Sequence, residues 1–568
     1  MSIVRLSDGL ASDFTAKQLE ELAAQLNIDV SNSTDRDDYL RLLWSFEGVM
    51  KYIEDSPDYL PPALKPQPVS TSRDFSTPSP LDNPLNAWSH MCDIISSSPT
   101  SNALKGRTVA IKDNISVGGL PMTLGAPASI LSENGVFPTS SIDAIVVSRL
   151  LGAGAVIKGT STCECFCASP LSFTSATGPV HNPHLHGHTA GGSSSGSCAL
   201  VASHVLKSQG KGGLGETVEL AIGSDQGGSV RIPASYNGIY GLKPTFGLVP
   251  YTGAASMSPM IDHLGPIASH LEDIAGLLEV MAGYDGLDSR MTPESPLLDQ
   301  VKPYSQMLET FRGQLASKSE TGQAWKIGLL LESFQIPGVA ADVRETVREA
   351  ASTFFKAIGA TVVDVSVPIH QDGPMIWTAA TRPSMSSWLC QGKPSGYLSY
   401  LSPHIQPKWP PSQDTYETIN SCNPALNNII LSEQFSRRFL SAGTEAKAHR
   451  KVFELRDAYD KALEEVDVLV TPCAPTIAMP NPELVNSEGR PLSVLERLEY
   501  AIGLTSNTCP FNVTGHPALN VPCGFSNPPG RPEVSLPIGM QIIGRRWCDE
   551  QVIMAAALFE SGRDLSVQ

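Results

Sequence analysis

The 568-residue sequence carries little charge: Asp, Glu, Lys and Arg make up 17% of it, against roughly 25% in an average soluble domain. A basic excess is missing. Lys and Arg number 40 against 57 Asp and Glu, a net charge of −17. That argues against a nucleic-acid partner, which would call for a basic face. Long hydrophobic runs are missing too. Stretches such as Val552–Phe559 fall far short of the roughly 18 apolar residues that read as a membrane span, so no membrane partner is expected. Met1-Ser2-Ile3-Val4-Arg5 opens no apolar h-region, and no signal peptide is expected. Eleven cysteines, an odd number thinly spread, make no disulfide framework. A reducing, cytoplasmic setting is the expectation.

What is present is a globular composition: 41% hydrophobic residues, with 47 Gly and 45 Pro to supply turns. Residues 1–55 read as a small helical segment. Thr15 and Gln18 have capping-box spacing ahead of Leu19, Leu22 and Leu26, and Tyr39–Ile53 is a second apolar-periodic stretch. The stripe Leu19, Leu22, Leu26 either joins two copies as a homodimer or packs on the chain's own body. Residues 56–84 hold Pro57, Pro61, Pro62, Pro66, Pro68, Pro78, Pro80 and Pro84 and read as a linker. The main body, 85–568, alternates. Thr108–Ile111 and Ala155–Ile157 read as strands, the latter after the helical Ser141–Gly152; Ser193–Leu206 reads as helix and Val218–Ile222 as strand. Ser269 and Glu272 have capping-box spacing before Ile274–Met281. Lys326–Leu331, Val343–Ala357 and Thr361–Val367 read strand, helix, strand, and Arg450–Glu465 then Val466–Thr471 reads helix, strand. The expected fold is α/β, with a large mixed, mostly parallel central sheet covered by helices on both faces.

Several short patterns fail on context. Gly210–Gly215 spells G-x-G-x-x-G but follows a helix and precedes a strand, the reverse of a dinucleotide fingerprint. Gly192-Ser193-Ser194-Ser195-Gly196 spells the nucleophile elbow G-x-S-x-G without the strand that must precede it. Cys163-x-Cys165-x-Cys167 and the cluster His181, His184, His186, His188 invite a metal reading, but the cysteines lack the two to four intervening residues of a zinc site. The cysteines, alternating with Glu164 and Phe166, read as a half-buried strand. No metal ligand and no cofactor are assigned.

Chemistry concentrates in Ala190–Thr245. Gly227-Gly228-Ser229 follows a strand ending near Gly223. Glycines there bare backbone N–H groups, and a Ser beside them has what acyl transfer needs, a hydroxyl next to donors for an oxyanion. A plain Gly/Ser turn satisfies the residue types equally well. The wider pattern decides. GGSSSGS at 191–197 and GSDQGGSVRIPASYNGIYGLKPT at 223–245 resemble the amidase signature family of serine hydrolases. Val109–Asn114, Ile261–Pro266, Pro510–Leu519 and Leu536–Met540 match further family segments in the same order, so the likeness runs from about Asn83 to Glu560.

The resemblance implies Ser229 as nucleophile, Ser193 as the serine that follows a cis peptide and relays protons, and Lys112 as general base. It implies an oxyanion hole from the N–H groups of Gln226, Gly227, Gly228 and Ser229, with Ser194, Asp225 and Arg231 in support. Chemically this is coherent: a serine hydroxyl needs an adjacent base, and burial away from carboxylates favours a neutral amine. Asp113 is therefore expected to point away from Lys112, and His263 and His516 to be structural or pocket-lining. The implied activity is hydrolysis of a small carboxylic amide by a bacterial-type amidase, without metal. Two alternatives are the glutamine amidotransferase subunit of tRNA-dependent transamidation, and a catalytically inactive scaffold on the same fold. The signature core spans 105–282, and substrate choice falls to a variable region at about 370–450. There Trp377, Trp388 and Tyr397 are expected to line an aromatic acyl pocket, with core packing as the alternative role. The interval from Ser193 to Ser229 is longer than the family's. The extra residues fall near Leu206–Thr217 and read as a surface loop.

Overall fold

The computed structural model describes residues 12–567, apart from 133, 138, 318–320, 392–408 and 487. The chain divides into two compact units, Met1–Pro62 and Ala63–Gln568. In the first, helix Ala16–Gln25 starts on the expected capping box: Thr15 Oγ1 accepts from Gln18 N, and Gln18 Oε1 accepts from Thr15 N at 2.7 Å. A second helix, Ser33–Glu54, is capped by the Asn32 side chain. Along the stripe Leu19 is buried, whereas Leu22 and Leu26 are 44% and 63% exposed.

The second unit is built on one sheet of eleven strands among the described residues. They are β1 (Trp88–Ile95), β2 (Thr108–Lys112), β3 (Val156–Ser161), β4 (Leu220–Ser224), β5 (Tyr240–Lys243), β6 (Leu264–Ala268), β7 (Lys326–Leu330), β8 (Thr361–Val365), β9 (Val468–Pro472), β10 (Ala518–Ser526) and β11 (Leu536–Ile543). Their spatial order is β1-β3-β2-β4-β6-β5-β10-β11-β9-β7-β8. The sheet is mixed, as expected, but not mostly parallel. Parallel pairing occurs at β3-β2-β4 and at β8-β7-β9; every other neighbouring pair is antiparallel. The strand–helix–strand stretches that periodicity reveals are the parallel crossovers. The antiparallel centre is assembled from strands far apart in sequence, such as β5 against β10, and no local pattern reports their direction.

Both faces of the sheet are buried. In β2, Val109 and Ile111 enter one core cluster and Ala110 another; in β4, Leu220 and Ile222 part from Ala221 in the same way. The first face is covered by helices including Ile145–Gly152, Leu271–Met281, Ala341–Ala357 and Asp549–Val567. Helix Ser195–Ser208 packs on the opposite face. Strands buried on both sides lose the apolar–polar alternation of a half-exposed sheet.

Local readings also meet corrections. Of the Pro-rich stretch, residues from Ala63 onward belong to the larger unit. Leu64 is buried, Val69 and Ser76 bridge to Ser96 and Met91, and Arg73 donates to both oxygens of the buried Asp143 at 2.9 and 2.7 Å. Helix Leu271–Met281 begins after an extended His270 with no side-chain cap, one residue too late for Ser269 to cap it, and Ser269 Oγ pairs with His270 Nδ1. Cys165–Cys167 form a 3-10 turn rather than a strand, with Phe166 and Cys167 in the left-handed region at φ 51° and 57°. The loop after Ser208 is a surface loop held by Leu214, which is buried with Leu85 and Trp88.

Candidate active site

Lys112 ends β2 on the same side as Ala110, which faces helix Ser195–Ser208. Its Nζ is buried and lies 2.8 Å from Ser193 Oγ, 2.9 Å from Ser224 Oγ and 3.3 Å from the Ser224 carbonyl oxygen. The Gly192–Ser193 peptide bond is cis. Gly192 is closely confined: a Cβ there would come within 2.6 Å of the Ser169 carbonyl oxygen. Asp113, next in sequence, turns to other partners, Ser89 Oγ at 2.7 Å, Thr123 N at 3.0 Å and the Thr123 hydroxyl.

Ser224 is a site residue that sequence reasoning missed. It ends β4, and the β2–β4 register, with Ile111 opposite Ile222, brings the two strand ends together. Cys167, expected to serve packing alone, lines the same cavity as Ser229. A hydrogen bond from Cys163 lowers its thiol pKa most; burial opposes this, and Lys112 with the Ser193 and Ser224 hydroxyls lowers it further.

After β4 the chain makes a turn that only a glycine admits at position 228. Gly228 has φ +134°, and a Cβ there would lie 2.4 Å from Thr508 Oγ1. Asp225 organises this turn, accepting from Gly228 N at 2.8 Å and Val230 N at 3.1 Å. That corrects one expectation: the Gly228 N–H is already committed and is not free to hold an oxyanion. The N–H groups of Gln226, Gly227 and Ser229 have no partner among the described residues. Arg231 clamps Asp225 with two bonds, Nε to Oδ2 at 2.9 Å and Nη2 to Oδ1 at 2.8 Å, and both side chains are fully buried. Arg231 also donates to the Thr508 carbonyl and Asn512 Oδ1, and Asn512 Nδ2 donates back to Asp225 Oδ1 at 2.9 Å. Burial alone would push the Asp225 carboxyl up, but the Arg231 charge and these hydrogen bonds hold it well below the usual carboxylate range. Ser194 joins the two serine segments, its N–H donating to the Ser229 carbonyl at 3.1 Å.

Ser229, 9% exposed, opens into a cavity of about 270 Å³. Among the described residues the expected aromatic lining comes down to Trp377, and Ile232, Met257, Met385 and Ile429 supply aliphatic surface. Trp388 is buried but does not line this cavity, and Tyr397 lies outside the described residues. Trp377 Nε1 donates to the Gln226 carbonyl at 3.0 Å, bracing the donor turn. Trp377→Phe deletes that bond, and one such bond contributes about 0.5–1.5 kcal/mol. The expected result is a kcat lowered about three- to tenfold with KM little changed. Steady-state kinetics check it; a change in KM alone would make Trp377 a substrate contact instead. The histidines stand apart: His263 Nδ1 pairs with the Ile261 carbonyl, His516 Nε2 with Asp460, and His184 Nε2 with the Asn237 carbonyl. Among the described residues no group of three or more His, Cys, Asp or Glu could hold a metal.

The family model described as Amidase matches residues 94–553, most of the chain. This chain belongs to the amidase signature family. An enantioselective amidase of Rhodococcus rhodochrous is 35% identical over 497 residues, 87% of this chain and 86% of that protein. A glutamyl-tRNA(Gln) amidotransferase subunit of Methanosarcina mazei is 33% identical, over 81% of this chain and 85% of that one. Among solved structures, the corresponding subunit from Thermotoga maritima superposes with a TM-score of 0.62 at 26% identity, covering 84% of this chain and 88% of its own. The chain is thus an amidase-family hydrolase acting on carbon–nitrogen bonds. No described helix of this amidase-family protein is long and apolar enough to cross a membrane.

A buried carboxyl beside the site gives the protein a pH signature. Burial pushes the Asp113 carboxyl up to about 7, outweighing the hydrogen bonds from Ser89 and Thr123. A carboxyl raised on folding stabilises most below its unfolded value of 3.8 and loses that contribution as pH rises through about 7. Asp113→Asn, which cannot ionise, is therefore expected to flatten the decline in melting temperature between those limits. Parallel melting curves for the two proteins would rule this out.

Proposed function

We propose that this protein hydrolyses a carboxylic acid amide to the acid and ammonia, or a small amine, through an acyl-enzyme on Ser229. The observation that carries the reading is the buried Lys112 Nζ set 2.8 Å from Ser193 Oγ, with Ser229 on a turn whose N–H groups are unpartnered at Gln226, Gly227 and Ser229 among the described residues. Ser229 Oγ attacks the carbonyl carbon, and its proton passes through the Ser193 hydroxyl to Lys112. The carbonyl oxygen becomes an oxyanion held by the N–H groups of Gln226, Gly227 and Ser229. Collapse breaks the C–N bond as the proton returns through Ser193 to the leaving nitrogen. Water then attacks the ester by the same route, releasing the acid and restoring the Ser229 hydroxyl. In this reading residues 105–282 carry the chemistry and about 370–450 select the substrate.

A second reading, one component of an amidotransferase, is favoured by the identity to the Methanosarcina proteins. The −17 charge and the Asp225-Gln226 pair weigh against it. Ammonia release from a panel of aryl and alkyl primary amides separates the two. Turnover by the purified chain, without ATP or partner chains, supports hydrolysis; turnover only with partners supports the second reading. A homodimer through the first unit accompanies the proposal, resting on the exposed Leu22 and Leu26. Removing residues 1–62 is then expected to halve the mass seen by light scattering, and an unchanged mass would discard the dimer.

A further inference from the structure

Arg382 is the one charged side chain among the described residues that line the Ser229 cavity. It stands on helix Gly373–Leu389, as does Trp377. Its Nε is shut off from solvent with no hydrogen-bond partner, and no bond or ion pair to its guanidinium is formed by the described residues. Other arginines whose Nε lacks a hydrogen bond engage their remaining nitrogens: Arg290 with Asp288, Arg497 with the Asn420 carbonyl and Arg546 with Asp460. Burial lowers the Arg382 pKa, and no carboxylate among the described residues offsets it. The segment 392–408, nearby in sequence, contains no Asp or Glu and cannot supply a carboxylate.

Arg382 is half-buried: its Nε is the atom cut off from solvent, and a guanidinium, which keeps its proton in proteins, is costly to shield from water without an anion. An arginine left in that state inside a cavity is matched to an anion that arrives with the ligand. Its planar fork suits a carboxylate, which it can bind by two parallel hydrogen bonds. The surfaces of Met385 and Ile429, which line the same cavity, suit a methylene chain. In the hydrolytic reading the leaving group is ammonia or a small amine, so the group that fills the cavity is the acyl chain.

Resting on that reading, we propose that Arg382 is a specificity-determining residue and that the preferred substrates are primary amides whose acyl chain ends in a carboxylate, the monoamides of aliphatic dicarboxylic acids.

The test compares succinamic, glutaramic, adipamic and suberamic acids with the amides in which methyl replaces the distal carboxylate, butanamide to octanamide. In the wild-type protein the best carboxylate amide is expected to exceed its neutral partner at least tenfold in kcat/KM. Arg382→Met is expected to remove that preference, and Arg382→Lys to restore part of it. Calorimetry with adipate reads the same subsite without turnover: binding to the wild-type protein, lost in Arg382→Met with unchanged circular dichroism, supports the proposal. A wild-type preference for the neutral amides, or a ratio untouched by Arg382→Met, overturns it. If no amide of either series releases ammonia, the hydrolytic reading fails, and adipate binding then decides the subsite by itself.

Discussion

Ser229→Ala is expected to abolish amide hydrolysis while leaving the fold intact. Single replacement of a serine nucleophile in comparable machinery costs about 10⁴-fold or more in turnover, since the donor turn and binding surface alone retain little of the rate. The Ser229 side chain accepts and donates no hydrogen bond among the described residues, so its removal strands no buried partner. The turn itself is held by Asp225, Arg231 and Asn512. The melting temperature is accordingly expected to stay within about two degrees of the wild-type value. Ammonia release and circular dichroism measure the two halves of this expectation. Hydroxylamine adds a direct readout: the wild-type protein converts an amide to a hydroxamate, reporting the acyl-enzyme, and Ser229→Ala does not. Near-normal hydrolysis by that variant would remove Ser229 as nucleophile.

Arg231→Met is expected to produce the largest loss of stability. The Arg231–Asp225 pair is fully buried, and breaking such a pair leaves a carboxylate without its counter-charge, at about 3–5 kcal/mol. Methionine fills much of the space but supplies none of the four bonded contacts to Asp225, Thr508 and Asn512. Urea midpoints measure the effect. Its pH dependence has a definite sign. A carboxyl held low in the folded state stabilises above its unfolded value of 3.8 and loses that contribution as pH falls toward its folded value. The gap between wild-type and Arg231→Met is therefore expected to be widest near neutrality and to narrow below pH 3.8. Activity is expected to fall with stability, because Asp225 fixes Gly228 and Val230 on either side of Ser229. A gap that widens in acid would show that Asp225 is not the carboxylate being stranded.

Much of this protein is local in its encoding. The Thr15–Gln18 capping box and the Gly-Ser segments at 191–197 and 223–229 depend on neighbours a few residues away, and each can be read directly. The crossovers around β7 and β8 show themselves because helix and strand periods alternate within forty residues. What fails locally does so for identifiable reasons. Ser269 has the spacing to cap a helix, but the helix starts one residue later, with His270 at the cap position. Cys165–Cys167 resemble a strand by alternation and form a turn buried on all sides.

By itself the sequence determined the family, the two serine-bearing segments and Lys112 at the end of a short β-branched run, because these are properties of residue type and order. Only the tertiary structure decided which groups meet. Ser224 reaches Lys112 through strand register, the Gly228 N–H is taken by Asp225, and Trp377 braces a carbonyl 151 residues away. The same is true of Arg382, which lines the cavity of Ser229 with no anion bound to it among the described residues. Strand direction belongs with these: β5 pairs with β10 across some 280 residues, where packing of both sheet faces, rather than any local pattern, selects the partner.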